Sequence, residues 1–342
     1  MIPFYSRKLK EDFKPKKRSL SKPIRCWSEK DVLDDKPSRA YVIILYTRGC
    51  SWAHESGCSM CGYFNDSAWQ EIPWEKLVEQ FKNALRNYSD EPILKIFTSG
   101  SFLDDKEIPS KVREKIIDMI PRSVRKLIVE SRPEYITNDT LSYLKNNVGG
   151  RILEIGVGLE TSSDEIREKV INKGFTFKEY IESVKLIREY GFKLKTYILV
   201  KPPFLTEKDS IEDTIRSVRE IKNITDTISF NPVNVQRRTI VEYLWRNYRY
   251  RPPWLWSIIE ILKESKRIVS KVRLQCDIVA GGTNRGAHNC FRCDKTILEA
   301  ISDFSINQDS TVFNDLNCSC IDLWREHLEL EPLLFDALPN YP

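Results

Sequence analysis

Short β-forming apolar runs alternate with longer amphipathic stretches through the middle of this protein, and that alternation restricts the fold more than any other feature. The runs are Tyr41–Thr47, Ile93–Ser99, Lys126–Glu130, Ile152–Leu159, Phe192–Val200 and Thr227–Asn231. Between them lie candidate helices Trp74–Tyr88, Ser110–Ile120, Asn138–Asn146, Asp164–Asn172, Phe177–Tyr190 and Lys208–Ile221. In the third, Asn138 is a suitable cap and Leu141 and Leu144 share a face; in the fifth, Tyr180, Val184 and Ile187 recur at helical spacing and Gly191 supplies a stop. Six βα units with mostly apolar strands predict a parallel sheet covered by helices. A doubly wound open sheet and a full or partial βα barrel both satisfy the pattern. No G-x-G-x-x-G follows the first strand, which weighs against dinucleotide binding. A cysteine-rich loop stands there instead.

Eight of the nine cysteines fall in two groups, and Cys26 stands apart as a structural or incidental residue. The sequence shows no export signal and no apolar run near the roughly 20 residues needed to span a bilayer. It therefore reads as a cytoplasmic protein without a membrane partner, in which clustered thiols point to metal rather than disulfides. Cys50, Cys58 and Cys61 place three thiols in twelve residues at the carboxyl end of the first strand, where βα folds carry their chemistry. Two metals fit that spacing: a [4Fe–4S] cluster with one iron left open, or zinc completed by His54. The second group is Cys276, Cys290, Cys293, Cys318 and Cys320, with His288 nearby. C-x2-C followed by C-x-C is zinc spacing, favoured over a second Fe–S cluster. Cys290 and Cys293 are the first expected ligands, completed from Cys276, Cys318 and Cys320. His288 is expected outside the ligand set, and His327, among leucines, as a packing residue.

The net charge of +5 is concentrated at one end. Residues 1–25 hold nine Lys and Arg against Glu11 and Asp12, so the remainder is slightly acidic. Such an arm suits contact with phosphates, and a solvated tail is the plain alternative. Residues 232–256 interleave Arg237, Arg238, Arg246, Arg249 and Arg251 with Tyr243, Trp245, Tyr248, Tyr250, Trp254 and Trp256. Arginine forks and aromatic faces together suit nucleic acid, although aromatics at helical spacing are more often packing residues.

Around the first cysteine loop the sequence resembles the radical S-adenosylmethionine (SAM) superfamily, in the branch containing the Elongator catalytic subunit. The resemblance covers Thr98-Ser-Gly-Ser-Phe-Leu-Asp104, Val129-Glu-Ser-Arg-Pro-Glu-Tyr135 and Gly156-Val-Gly-Leu-Glu-Thr-Ser-Ser-Asp164, each at the end of an expected strand. The loop departs from the superfamily's usual C-x3-C-x2-C by having seven residues in its first interval. The resemblance implies a partial (β/α)6 barrel over 41–232, a basic extension over 1–40, and an Arg/aromatic and zinc-binding region over 233–342. It implies that Cys50, Cys58 and Cys61 hold a [4Fe–4S] cluster whose open iron binds SAM. Ser99-Gly100-Ser101 would face the SAM amino group, Glu130, Arg132 and Glu160 its ribose or charged tail, and Met60 the adenine.

Over its whole length the sequence is similar to the archaeosine-forming branch of that superfamily, through Asn231–Gln236, Tyr250–Ser257 and Arg285–Asp294 as well. This implies a lyase acting on tRNA. A separate partner enzyme adds lysine to a 7-cyano-7-deazaguanine in the D-loop (position 15). The radical enzyme, supplied by an electron donor, then breaks the C–N bond of the lysine side group to leave archaeosine. Hydrogen-atom abstraction suits this substrate, because a C–H bond beside an amidine nitrogen is not acidic near neutral pH. Lys195, Tyr197 and Lys201 are candidates for the lysine carboxylate, and Arg237 and Arg238 for RNA. Elongator-type acetyl transfer is not expected, because the sequence runs only about 20 residues beyond Cys320. The competing readings are another radical SAM RNA modification, such as methylthiolation with a second Fe–S cluster, and a non-catalytic zinc-containing RNA-binding protein.

Overall fold

The computed structural model describes residues 1–336. One sheet takes eight strands in sequence order: β1 (Arg25–Leu33), β2 (Lys36–Ile44), β3 (Ile93–Phe97), β4 (Lys126–Glu130), β5 (Ile152–Glu160), β6 (Lys193–Val200), β7 (Thr227–Pro232) and β8 (Arg273–Cys276). β1 and β2 form an antiparallel hairpin turned by Asp34 and Asp35, a residue type that tolerates the positive φ found at both. All later pairs are parallel. The sheet curls until Gln275 Nε2 of β8 donates to Asp31 Oδ1 of β1 at 3.4 Å, yet the edge strands do not pair. This is the expected partial barrel. It has two strands beyond the six expected, so the boundaries at 40 and 232 do not delimit the sheet.

Short helices α1 (Ile2–Lys8) and α2 (Ser51–Glu55) precede and open the cysteine loop. The covering helices are α3 (Trp74–Leu85), α4 (Ser110–Asp118), α5 (Asn138–Asn147), α6 (Asp164–Ile166), α7 (Phe177–Glu189) and α8 (Glu207–Ile221). Beyond them come α9 (Ile240–Arg246), α10 (Leu255–Ile268), α11 (Asp294–Asn307) and α12 (Cys320–Asp336). Thr137, not Asn138, caps α5, because its hydroxyl accepts the Thr140 amide and the Thr140 hydroxyl answers it. α7 opens on a Thr176–Glu179 capping box and stops before Gly191, whose φ is +71°. The helix expected over 164–172 is instead the short α6 and a π turn over Arg167–Ile171, ended by Asn172 in the left-handed region.

Alternation along the strands separates two environments. Leu94, Ile96, Leu127, Val129, Ile155, Leu194, Ile198, Ile228 and Leu274 point outward into one core shared with the helices. The opposite face lines the lumen. At its amino end Leu33, Ala40, Ile93 and Ile128 form an apolar plug. Level with the plug, on neighbouring strands, lie buried charges: Lys95 Nζ pairs with Asp31 at 2.6 Å and Glu29 at 2.7 Å, and Lys126 pairs with Glu154 at 2.9 Å. The lumen is therefore polar and opens at the carboxyl ends of the strands. Among the described residues no helix is long and apolar enough to cross a membrane.

Candidate active site

The cysteine loop lies across the lumen mouth. Cys50 precedes α2, and residues 51–57 form one helical turn before Cys58. Trp52 Nε1 donates to the Asn172 carbonyl at 2.8 Å, tying this turn to the end of the π segment. His54 lies within this turn. Its ring stacks on Trp69 at 3.9 Å, and Nε2 lies 3.1 Å from the Arg48 carbonyl. It does not complete a tetrahedral set with Cys50, Cys58 and Cys61, which removes the reason for placing zinc there. Burial pushes the Cys50 thiol up to about 11, although Arg132 opposes it, and pushes Cys61 up to about 12. Thiols in such surroundings ionise readily only when a metal supplies the compensating charge, so the donor set suits a metal cluster.

Gly100 explains why the turn after β3 is built from small residues. A Cβ there would sit 2.6 Å from Cys50 Cα and 2.4 Å from Glu107 Oε2. Gly100→Ala is expected to displace the Cys50 loop and weaken SAM binding about tenfold, roughly 1.4 kcal/mol, read by equilibrium dialysis. Unchanged affinity would show that the turn does not abut the ligand.

Glu107 holds this turn and was not legible in the sequence. It accepts the Thr47 hydroxyl and the Ser101 amide, each at 2.6 Å. Burial raises its carboxyl to about 7, against those hydrogen bonds. A raised folded pKa favours the protonated native state, so this contribution is complete below the unfolded value of about 4.3 and is lost as pH rises through about 7. Glu107→Gln, which mimics the protonated form, is expected to flatten the fall in urea-unfolding stability between pH 5 and 8.

Of the residues expected at SAM, Ser99, Gly100, Ser101, Glu130, Arg132 and Glu160 all stand at strand ends around the mouth. Arg132 pairs with Glu134, and its guanidinium lies 5.4 Å from the ring centres of both Trp52 and Phe175. Glu160 is ion-paired to Lys173 at 2.5 Å, directly above Gly158, where a Cβ would meet both groups at 2.8 Å. Met60 packs against the small cluster of Ile171, Leu199, Val233, Val235 and Val241.

Tyr197 lies in the lumen, its ring so close to Gly156 that a Cβ there would approach it to 2.8 Å. Burial pushes the Glu130 carboxyl up, while the Tyr197 hydroxyl and the Lys195 and Lys173 ammoniums pull it down. Lys195 is 4% exposed. Its neighbours Lys95, Lys126 and Lys173 all have carboxylate partners, but among the described residues Lys195 has none within salt-bridge distance.

Lys201 does not share this position. It is 2% exposed, and its ammonium is held by Glu207 at 2.6 Å and Glu331 at 3.5 Å, joining β6 to α8 and α12. β6 ends at Val200 and Lys201 has φ of +59°, so the alternation that turns Lys195 and Tyr197 into the lumen does not extend to it. The expectation that Lys201 meets a substrate carboxylate is therefore corrected. His327 also belongs to this junction, with Nε2 3.3 Å from Glu331.

Arg237 is exposed at the rim, and Arg238 lies 5.7 Å over the Phe13 ring of the amino-terminal arm. The Arg/aromatic segment divides in two. Tyr243, Arg246, Tyr248 and Arg249 are exposed, Tyr248 at 98%. Trp254 and Trp256 pack in the core, and Arg251 lies over Trp254 at 3.9 Å.

In the second cysteine group, Cys290, Cys293, Cys318 and Cys320 bring all four sulfurs within 4.8 Å of one another. Sulfur–sulfur distances are 3.8 Å for Cys290–Cys293, 3.6 Å for Cys290–Cys318 and 3.7 Å for Cys293–Cys320. Metal–sulfur bonds of about 2.3 Å in a tetrahedron give edges of about 3.8 Å. A single ion fits this set. Trp256 Nε1 donates to Cys320 Sγ at 3.3 Å and Asn289 Nδ2 to Cys293 Sγ at 3.5 Å, as thiolate acceptors require. Cys276 is outside it: it points outward from β8 with Leu274 into the main core, and burial holds it as a thiol. His288 is also outside, stacked on Phe291, with Nδ1 2.7 Å from the Gly286 carbonyl.

Residues 44–218 match the family model described as the radical SAM superfamily, and the protein belongs to that superfamily. Membership implies a [4Fe–4S] cluster and SAM as cofactors. The sequence is 37% identical over 331 residues to archaeosine synthase subunit beta of Methanosarcina acetivorans, covering 96% of both. It is 36% identical over 312 residues to the protein of the same name from Thermococcus kodakarensis, covering 89% of this protein and 96% of that one. Within the superfamily it belongs to the archaeosine synthase subunit beta family. Elongator complex protein 3 of Mus musculus is 29% identical over 168 residues, covering 47% of this protein and 30% of that one.

Proposed function

We propose that this protein is a radical SAM lyase that acts on tRNA in the cytoplasm. It breaks the C–N bond of the lysine side group in a lysine-modified 7-cyano-7-deazaguanine of the D-loop and leaves archaeosine. The observation that carries this reading is Lys195, a buried ammonium that makes no direct ion pair among the described residues, although its charge reaches Glu154, Glu130 and Asp31, in the lumen whose mouth the cysteine loop covers. The family relationship to archaeosine synthase subunit beta supports it.

In this reading Cys50, Cys58 and Cys61 hold the [4Fe–4S] cluster, and Ser99–Ser101, Glu130, Arg132, Glu160 and Met60 surround SAM. When bound, the cluster and SAM supply one-electron cleavage of a sulfonium and, through it, abstraction of a hydrogen atom from an unactivated carbon. The protein's own task is placement. Lys195 takes the carboxylate of the lysine adduct, and Tyr197 and Glu130 fix its approach through hydrogen bonds. The curled sheet excludes water around the reacting carbon. A lysine-adding enzyme and an electron donor are the implied partners. Cys290, Cys293, Cys318 and Cys320 hold zinc, and their single-ion spacing argues against the second iron cluster that methylthiolation needs.

Exposed Tyr243, Arg246, Tyr248 and Arg249, with Lys14, Lys16 and Lys17 of the arm, form the RNA-gripping surface. Tyr248→Ala is expected to weaken tRNA binding by about 1–3 kcal/mol through lost base stacking. Neutralising Lys14, Lys16 and Lys17 should flatten the dependence of affinity on salt. These substitutions separate RNA contact from folding better than removal of residues 2–18, which would strip buried Lys10 from the cysteine loop. The deciding experiment is mass spectrometry of tRNA from cells lacking this gene. Accumulation of the lysine adduct is expected, and accumulation of the unlysinated base would move the protein to an earlier step.

A further inference from the structure

We infer that Lys10 is a positioning residue for the cluster. The amino-terminal arm delivers its ammonium to close the enlarged first interval of the cysteine loop and to place a positive charge beside the three thiols. This rests on the reading of Cys50, Cys58 and Cys61 as cluster ligands.

The geometry is specific. The first interval, four residues longer than the superfamily's usual one, folds into the turn α2. A five-residue helix does not hold itself in water, and its last carbonyls lack partners within it. Lys10 Nζ donates to the Ala53 carbonyl at 2.7 Å and the Ser56 carbonyl at 2.6 Å. The residue is 9% exposed, although the surrounding arm is rich in exposed lysines. Gly57, at φ +88°, leaves the space for it: a Cβ there would lie 2.3 Å from Nζ. Phe13 seats the arm, meeting Phe64 edge-on at 5.2 Å and Trp69 at 5.5 Å.

Neither hydrogen-bond partner of Lys10 is an acid, so its charge is not neutralised by its immediate contacts. Burial lowers its pKa, and the thiols of Cys61, Cys58 and Cys50 oppose that. A fixed cation beside an iron–sulfur site favours the more negative, reduced state, since local charge helps set the potential. The longer loop and the basic arm therefore act as one device: the arm supplies the cap that the extra turn lacks.

Lys10→Met and Lys10→Arg, reconstituted anaerobically, test this through iron content, EPR-monitored reduction potential and amide exchange of the metal-free protein. Lys10→Met is expected to move the potential to more negative values, with Lys10→Arg returning it toward wild type. In the metal-free protein, Lys10→Met should speed exchange at the Ser56 amide about tenfold while the thermal midpoint holds, because the local turn opens without global unfolding. If Lys10→Met fails to retain iron, that localised exchange and its reversal by Arg decide the matter. A wild-type potential at full iron, or wild-type exchange in the metal-free protein, overturns the inference. Absence of iron from the wild-type protein would instead defeat the cluster assignment itself.

Discussion

Replacing Cys58 with Ala is expected to abolish SAM cleavage, by at least about 1,000-fold or roughly 4 kcal/mol of barrier, while tRNA affinity stays within about twofold. Two remaining thiols cannot hold a cubane with one open iron, so the variant should purify colourless where the wild type is brown. The fold should survive. Cys58 is a partly buried packing residue beside Ile171 and Met60, so truncation to Ala removes one sulfur from the edge of a small cluster. Such losses cost about 1 kcal/mol, far less than global stability. Tyr248 and Arg249 lie on the exposed segment following α9 rather than in the cysteine loop. Anaerobic turnover with SAM and lysine-modified tRNA, beside a filter-binding measurement, reads both halves. Product formation by the variant would remove Cys58 from the cluster, and parallel loss of tRNA affinity would mean that the cysteine loop itself contacts RNA.

The strands β2–β7 were legible because each carries a run of apolar residues long enough to bury a face, and the cysteine loop was legible because its spacing is local. β1 was not. Its Glu29 and Asp31 are strand residues only because Lys95, far along the sequence, neutralises them inside the lumen. β8 has four residues, too few for a period to emerge. Parity explains the two misplaced candidates. Cys276 alternates with Gln275 and Asp277 and so faces the helices, while Lys201 lies one residue beyond the point where alternation ends. Lys10 and Glu107 show the harder limit. Lys10 owes its role to Ala53 and Ser56, and Glu107 owes part of its role to Thr47, all more than 40 residues away, and nothing local distinguishes Lys10 from Lys14 or Lys16.

Cys318→Ser is expected to release one equivalent of zinc, leave the iron content unchanged, and destabilise the protein by several kcal/mol. The four sulfurs join two segments of the chain: Cys290 and Cys293 enter α11, and Cys318 and Cys320 enter α12. Trp256 of α10 reaches the same site through Cys320, and Trp324 Nε1 of α12 donates to Ser257 Oγ at 2.8 Å. A closed tetrahedral site contributes its binding free energy to folding, of order 10 kcal/mol for small zinc modules, and loss of one ligand forfeits much of it. The Arg292 and Cys293 amides lower the Cys290 thiol against burial, whereas burial raises Cys293 and Cys320, so the four thiols share their charge unevenly. Cys276→Ser supplies the contrast. It puts a hydroxyl into the helix-packed core, costing about 1–3 kcal/mol, but removes no sulfur from the tetrahedron. Metal analysis and chemical unfolding of both variants distinguish the two effects: zinc should leave only with Cys318, and zinc lost from Cys276→Ser but kept by Cys318→Ser would reverse the assignment.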